Sequence, residues 1–210
     1  ILIKHSKESD FYMEFFNPDA SRSFCGNGSR CAVAFAYKMG IIEKTTHFQA
    51  IDGDHNGEIL DDNSIKVNMK KVEDIRQTAD DLILDTGSPH FVRFVQKLNN
   101  EDIVNTGRKI RYSKEFEKEG INVNLVEIDA NSELLVATYE RGVENETLSC
   151  GTGVTAMALA ANFRSEIPSP IKVHTRGGEL RVEFQHSEGG YENVYLIGPA
   201  KFVYKGEVQI

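Results

Sequence analysis

The motif Cys-Gly-x-Gly occurs twice in this chain, each time directly before an apolar, alanine-rich run. The first copy is Cys25–Gly28 and the second is Cys150–Gly153. Ala, Leu and Met favour helix, and a run with so few polar positions is typical of a buried helix. Paired glycines let a ligand approach the free N–H groups of a helix start closely. The pattern therefore predicts two equivalent anion-binding helix starts, for helices over about 27–39 and 152–163, each beside a sulfur.

The position of the two cysteines indicates chemistry. The helix dipole and the free amides favour a thiolate there, and the same amides can hold a carboxylate. A single thiolate would suggest a nucleophile, whereas two that face each other suggest an acid and a base on opposite sides of one substrate. A free cysteine is more often a small buried hydrophobe. The duplication favours a functional role for Cys25 and Cys150, whereas Cys31, one turn into the first helix, is expected to face the core.

Composition excludes several classes of protein. The 210 residues include 24 basic and 32 acidic side chains, a net charge of −8, without a strong basic cluster. This balance argues against a nucleic-acid surface. No apolar run approaches the roughly 20 residues that span a bilayer. Three cysteines, without Cys-x-x-Cys, argue against a disulfide framework or a zinc site and favour a reducing, cytoplasmic compartment. Because Ile1 begins the chain inside a strand-like run, we expect a fragment whose start is missing.

Strand patterns surround each predicted helix, and their order repeats. A polar segment over 70–80 reads as a linker between the two copies, and a stretch over 101–118 is partly helical. The repetition predicts an α+β fold built by internal duplication, with sheets that cover the apolar helices on all sides. The expected strands cover residues 1–3, 11–16, 46–51, 57–60, 65–69, 82–86, 121–128, 133–140, 171–175, 179–184, 193–197 and 201–209.

Several segments together resemble the diaminopimelate epimerases. The matching segments are Phe15–Asn17, Cys25–Cys31, Gly87–His90, Gly120–Val123, Tyr139–Gly142, Glu146–Gly153 and Gly198–Ala200. The resemblance implies two pseudo-symmetric domains, each a sheet or barrel wrapped around a central helix. The first would comprise residues 1–78 plus 199–210, and the second residues 79–198. It also implies the interconversion of LL- and meso-diaminopimelate without pyridoxal phosphate, metal or other cofactor. The partner is then a small molecule, not nucleic acid or membrane, and a homodimer is left open.

The resemblance also assigns roles to individual residues. Cys25 and Cys150 would be the catalytic acid and base. The amides of Gly26, Asn27, Gly151 and Thr152 would hold the α-carboxylate. His90 and Glu140 would lie by the α-amino group and the thiols. The distal end of the substrate would be bound by Asn17, Asn122 and Arg141, whose guanidinium fork suits a carboxylate. Ser88 stands where the family usually has a substrate-contacting Asn, and Asn124 where it often has Gly or Glu.

Three other functions fit parts of the pattern. A proline or hydroxyproline racemase-like enzyme shares the fold and both cysteines, but usually has His at the position of Asn27. A phenazine-pathway-like isomerase or binding protein of this fold lacks the thiol pair. A thiol redox protein would usually carry Cys-x-x-Cys.

Overall fold

The computed structural model describes residues 1–17 and 20–207, which form a mixed α+β fold. Its helices are α1 (Gly26–Lys38), α2 (Ile103–Arg111) and α3 (Gly151–Ser165), with a single 3₁₀ turn at Leu98–Asn100. The first strands are β1 (Leu2–Lys4), β2 (Phe11–Glu14), β3 (Thr45–Ala50), β4 (Gly53–Ile59), β5 (Ile65–Asn68), β6 (Arg76–Thr78) and β7 (Asp81–Asp85). The remaining strands are β8 (Pro89–Phe94), β9 (Asn122–Ile128), β10 (Leu134–Glu140), β11 (Asn145–Thr147), β12 (Ile171–Thr175), β13 (Gly178–Ser187) and β14 (Gly190–Gly198).

All of these strands belong to one continuous sheet. Its order is β1-β2-β3-β4-β5-β14-β13-β12-β10-β9-β8-β7-β6, and β11 pairs with β10. The two copies of the repeat meet where β5 and β14 pair antiparallel, with Ile65 opposite Gly198 and Asn68 opposite Tyr195. An antiparallel joint between equivalent strands is what a two-fold relation between the copies requires.

The strand pairing repeats, as the duplicated sequence predicts. Strand β2 runs parallel to β3, and α1 forms the crossover between them. Strand β10 runs parallel to β12, with α3 as the crossover. Each crossover is followed by a three-stranded antiparallel meander, β3-β4-β5 or β12-β13-β14. The chain therefore places two equivalent helices on two equivalent parts of the sheet.

The two helices differ in how far the strands cover them. Helix α3 is buried without interruption from Gly151 to Ala161 and packs against β7–β10 and β12–β14. Helix α1 packs mainly on β4 and β5 through Ala32, Val33 and Ala36, whereas Cys31 and Phe35 are exposed. The prediction that Cys31 faces the core is thus wrong. Cys31 and Phe35 are four residues apart and share the helix face that the described strands leave uncovered.

Most predicted elements are confirmed, with shifts at their ends. Both buried helices begin one residue earlier than expected, at the first glycine of each motif. Gly40 has φ +71° just after α1, as a helix-ending glycine should. The segment over 70–80 is more than a linker, since it contains the edge strand β6 and a bridge from Val72 to Tyr191. The short strand β11 lies where a loop was expected.

The strand expected over 201–209 is wrong for residues 201–207, which form no strand. Its last two positions, 208 and 209, lie outside the described residues. In this stretch the ring of Phe202 packs against α1, with Lys38 Nζ 2.9 Å from the ring centroid. Among the described residues, no helix combines the length and apolar character needed to cross a bilayer.

Helix α2 lies against the sheet because Gly107 has no side chain. A Cβ at Gly107 would fall 2.4 Å from both Cβ and Cγ of Tyr139, which is fully buried. Gly107→Ala is expected to lower the free energy of unfolding by about 1–3 kcal/mol through overpacking, which outweighs a gain in helix propensity of at most about 1 kcal/mol. Chemical denaturation measures the change. Gly189→Ala is the matched control, because its nearest neighbour would be 3.8 Å away; equal stability of both variants would contradict the packing argument.

Candidate active site

The N-termini of α1 and α3 meet inside the molecule. A Cβ at Gly151 would lie 3.2 Å from both Gly26 Cα and Asn27 N. Across the same contact, Asn27 Nδ2 donates a 2.9 Å hydrogen bond to the backbone carbonyl of Ser149. Cys25 and Cys150 are the N-caps of these helices, both with extended backbone. The structure therefore brings the two Cys-Gly motifs together, 125 positions apart in sequence (150 − 25).

One side chain from the joint between the two copies supports both helix starts. Leu196 lies on β14 and is fully buried. Its Cδ2 would be 3.0 Å from a Cβ on Gly26 and 3.1 Å from a Cβ on Gly151. The glycines are thus needed for close approach as well as for access to the backbone amides.

The two sulfurs have different surroundings. Cys25 is half-buried, and its Sγ accepts a 3.3 Å hydrogen bond from the N–H of Gly28. Cys150 is buried, and its Sγ lies 3.4 Å from Thr152 Oγ1. All three cysteines are free thiols.

Burial decides the ionisation of both thiols. Loss of solvent raises the pKa of Cys25, although the amides of Gly28 and Asn27 act in the opposite direction. Burial, together with the negative charge of Glu140, raises the pKa of the Cys150 thiol to about 12. Cys25 adds to this upward shift. The amides at the helix starts thus favour the thiolate as expected, but desolvation is the larger effect and leaves the pKa of both thiols raised.

His90 is the centre of a buried polar network beside Cys150. It lies on β8 and is fully buried. Its Nε2 is 3.0 Å from Ser88 Oγ and 3.0 Å from Thr152 Oγ1, and its Nδ1 is 3.1 Å from Asn124 Nδ2. Burial lowers the pKa of His90 to about 3, so the imidazole is neutral at physiological pH. The network thus connects β8, β9 and the start of α3.

Asn122 and Arg141, which were predicted to bind the distal end of the substrate, form a second group with Ser88. Asn122 Nδ2 donates to Ser88 Oγ at 3.1 Å, and Asn122 Oδ1 accepts from the backbone N–H of Arg141 at 2.9 Å. The side chain of Arg141 is exposed and donates to the Glu119 carbonyl at 2.8 Å. Glu140, half-buried at the end of β10, is close enough for its charge to act on both thiols.

Asn17 belongs to the turn before α1. Its Nδ2 donates to Ser21 Oγ at 3.0 Å, and its Oδ1 accepts from Ser23 Oγ at 3.3 Å. Asn17 thus contacts Ser21 and Ser23, which precede the first motif in sequence.

Sequence reasoning missed several polar residues of the site. Thr86 Oγ1 donates to the Thr152 carbonyl at 2.8 Å, and Thr138 Oγ1 donates to Asn124 Oδ1 at 3.0 Å. Arg30, also buried, donates to Asn27 Oδ1 at 3.0 Å. Asn124 was noted only as a departure from the family pattern; its alternation with Asn122 inside an apolar strand, unusual for a buried segment, was a further signal. Within the described part of the chain, no cluster of three or more His, Cys, Asp or Glu side chains could hold a metal ion.

Solved structures share the fold. A phenazine biosynthesis protein of the PhzF family from Bacillus anthracis superposes with a TM-score of 0.82 at 13% identity, covering 99% of this chain and 83% of that one. A hydroxyproline epimerase from Agrobacterium vitis superposes with a TM-score of 0.67 at 14% identity, covering 93% of this chain and 70% of that one. At such identities the likeness concerns architecture alone.

The sequence comparisons are more specific. The family model for diaminopimelate epimerase matches residues 1–75 and 82–203. The diaminopimelate epimerase of Flavobacterium psychrophilum is 43% identical over 207 residues, covering 98% of this chain and 81% of that protein. That of Aquifex aeolicus is 38% identical over 222 residues, covering 99% of this chain and 78% of its relative. With its two helix-capping cysteines and these matches over nearly its whole length, the chain belongs to the diaminopimelate epimerase family.

Proposed function

We propose that this protein interconverts LL- and meso-diaminopimelate by moving the Cα proton between the sulfurs of Cys25 and Cys150. Family membership supports the substrate. The observation that carries the mechanism is the meeting of two helix starts, each capped by a cysteine, around one point.

The proton transfer uses one sulfur on each face of the substrate. A thiolate removes the Cα proton from one face, and the thiol of the other cysteine delivers a proton to the opposite face. A positioned acid or base contributes about 10²–10⁴-fold to the rate. The roles of Cys25 and Cys150 exchange with the direction of the reaction, so neither is permanently the base.

The carbanion needs help because the α-proton of an amino acid is very weakly acidic. Its charge spreads into the α-carboxylate, which the N–H groups of Gly26, Asn27, Gly151 and Thr152 would hold. The first N–H groups of a helix have no partner within the helix. Preorganised donors of this kind are often the largest contribution to catalysis. Two helix starts therefore supply donors to one carboxylate.

Other side chains would orient the substrate. Glu140 is a carboxylate near both thiols and suits the α-ammonium group. Ser88, Asn122 and Arg141 form the group proposed for the distal amino-carboxylate end, with Asn17 at the first motif. Because His90 is held neutral, it can orient hydroxyl groups but does not add a positive charge.

The division into domains also remains a proposal. Residues 1–78 plus 199–210 would form the first half and residues 79–198 the second. The matching strand orders and the β5–β14 joint support this division.

Three free cysteines support a cytoplasmic location, since thiols persist in reducing compartments.

Removal of either proposed acid/base sulfur tests the mechanism. Cys25→Ala and Cys150→Ala are each expected to lower epimerisation by at least about 10²-fold, since each removes one of the two proton-transfer groups. Deuterium incorporation at Cα of LL-diaminopimelate in D₂O, without added cofactor, measures the effect. Cys31→Ala is the control, because Cys31 is exposed on the outer face of α1. Normal turnover by Cys25→Ala would refute the scheme, and racemisation of proline by the unaltered protein would favour the racemase alternative.

The raised thiol pKa values predict the pH dependence. Since the resting thiols are protonated near neutral pH, the fraction that carries a thiolate grows with pH, by about tenfold per unit well below the thiol pKa. We therefore expect kcat/KM to rise between pH 6 and pH 9. The pH profile should show no ionisation of His90 near the ordinary histidine pKa, because burial lowers the pKa of His90 to about 3. Initial rates in constant-ionic-strength buffers measure the profile, and circular dichroism at each pH checks folding. A flat profile over this range would contradict the assignment.

A further inference from the structure

The hydrogen bonds of the buried polar network at His90 can be followed from donor to acceptor, and the last hydroxyl in that order, Thr152, lies beside Cys150. We propose that Asn124 is a positioning residue that fixes the tautomer of His90, so that the hydroxyl of Thr152 donates a hydrogen bond to the sulfur of Cys150. The inference rests on the proposed catalytic role of Cys150.

The orientation of the Asn124 amide follows from its three other partners, the carbonyls of Phe91 and Asn122 and the hydroxyl of Thr138. Asn124 is fully buried, and its Nδ2 lies 2.9 Å from the carbonyl oxygen of Phe91. A carbonyl oxygen only accepts, so the amide group that faces it must be the NH₂. On the other side, Asn124 Oδ1 accepts from Thr138 Oγ1 at 3.0 Å. Reversing the amide would set two oxygens against each other at Phe91.

The amide orientation determines which ring nitrogen of His90 carries the proton. For the second hydrogen of Asn124 Nδ2, Nδ1 of His90 at 3.1 Å is the nearer partner, and the carbonyl of Asn122 is 3.5 Å away. Nδ1 must therefore be the unprotonated acceptor. In a neutral imidazole the other nitrogen, Nε2, then carries the hydrogen and is a donor.

The donor nitrogen in turn orients the hydroxyl groups beside it. Nε2–H is 3.0 Å from both Ser88 Oγ and Thr152 Oγ1, and Asn122 Nδ2 already donates to Ser88 Oγ. Ser88 Oγ thus faces donors at Asn122 and His90, and its own hydrogen has Thr152 Oγ1, 3.2 Å away, as acceptor. Thr152 then accepts on the side of Ser88 and His90, and its hydrogen points at Cys150 Sγ, 3.4 Å away. With the opposite tautomer Nε2 would be an acceptor and would compete with the sulfur for the hydrogen of Thr152.

The packing of α3 preserves this arrangement. A Cβ at Gly153 would fall 2.8 Å from Asn124 Oδ1 and 3.3 Å from Thr138 Oγ1. Because Gly153, the second glycine of the motif, has no side chain, the amide of Asn124 fits beside the start of α3. This gives Gly153 a role in the network besides access to the helix N-terminus.

The proposed hydrogen bond acts when Cys150 becomes a thiolate. In one direction Cys150 gives its proton to the Cα carbanion: the S–H bond breaks, the Cα–H bond forms, and the electron pair stays on sulfur. The Thr152 hydroxyl then donates to that sulfur without losing its proton. Both sulfurs have a backbone donor, the N–H of Gly28 for Cys25 at 3.3 Å and the N–H of Gly153 for Cys150. Cys150 has in addition the side-chain hydroxyl of Thr152, which belongs to the network.

The tautomer can be measured without reference to activity. Long-range ¹H–¹⁵N correlation spectra of the unliganded, ¹⁵N-histidine-labelled protein should show an unprotonated Nδ1 and a protonated Nε2 at His90. In Asn124→Asp the carboxylate only accepts, so the pattern should reverse. An Nδ1–H tautomer in the unaltered protein would overturn the proposal, even if the protein epimerises diaminopimelate as expected.

The second test is kinetic. Thr152→Val should lower kcat by about 10- to 100-fold with little change in KM, since a hydrogen bond to a charged group is lost. The matched control is Thr155→Val, the same change one turn further along α3, where the hydroxyl bonds only to the Gly151 carbonyl at 3.0 Å. Thr152→Ser, which keeps the hydroxyl, should recover most of the loss.

A double variant separates positioning from structural damage. If Asn124 acts through Thr152, Asn124→Asp combined with Thr152→Val should be no slower than Thr152→Val alone. Additive losses, or equal losses in Thr152→Val and Thr155→Val, would refute the proposal. Should Asn124→Asp fail to fold, the valine and serine variants with the spectrum of the unaltered protein still decide it. Failure of the proposed function would appear differently, as full activity in Cys150→Ala.

Discussion

The contact between the starts of α1 and α3 is the constraint on which the rest of the structure depends. Gly26 and Gly151 let two backbones approach over the side chain of Leu196, closer than any larger residue would permit. The antiparallel pairing of β5 with β14 places the two copies in the orientation that this contact needs. The sheet topology, the buried α3 and the polar network at β8 and β9 all serve to hold these two backbone segments in place.

Burial shifts the pKa values of the groups of the site in opposite directions, upward for the thiols and downward for His90. It keeps the thiols protonated and the imidazole of His90 uncharged, because each charged form loses solvation. A site of neutral groups costs less to bury than one with a standing thiolate and imidazolium. The thiolate that starts the proposed reaction is therefore a minor form of the protein near neutral pH, and the proposed substrate brings the carboxylate and ammonium groups for the amides and Glu140.

The duplicated motif was sufficient to predict both helices, their start points within one residue and their approach to each other. This worked because glycine pairs and alanine-rich runs act locally, through backbone access and helix propensity. The exposure of Cys31 could not be read from sequence, since it depends on which helix face the strands cover. The thiol pKa values could not be read either, because the dipole effect is local whereas desolvation depends on the whole fold. The contacts of Asn124 could not be read from sequence for a similar reason: its partners Phe91, Thr138 and His90 become neighbours only when three strands pair.

The meeting of two helix starts has an electrostatic consequence. Each helix presents a partial positive charge of roughly half a unit at its N-terminus. Two like poles therefore face each other, and the hydrogen bond from Asn27 to Ser149 links the two segments across this contact. An anion placed between them turns that repulsion into attraction on both sides. A carboxylate bound between the two helix starts should thus strengthen the contact between the two copies of the repeat.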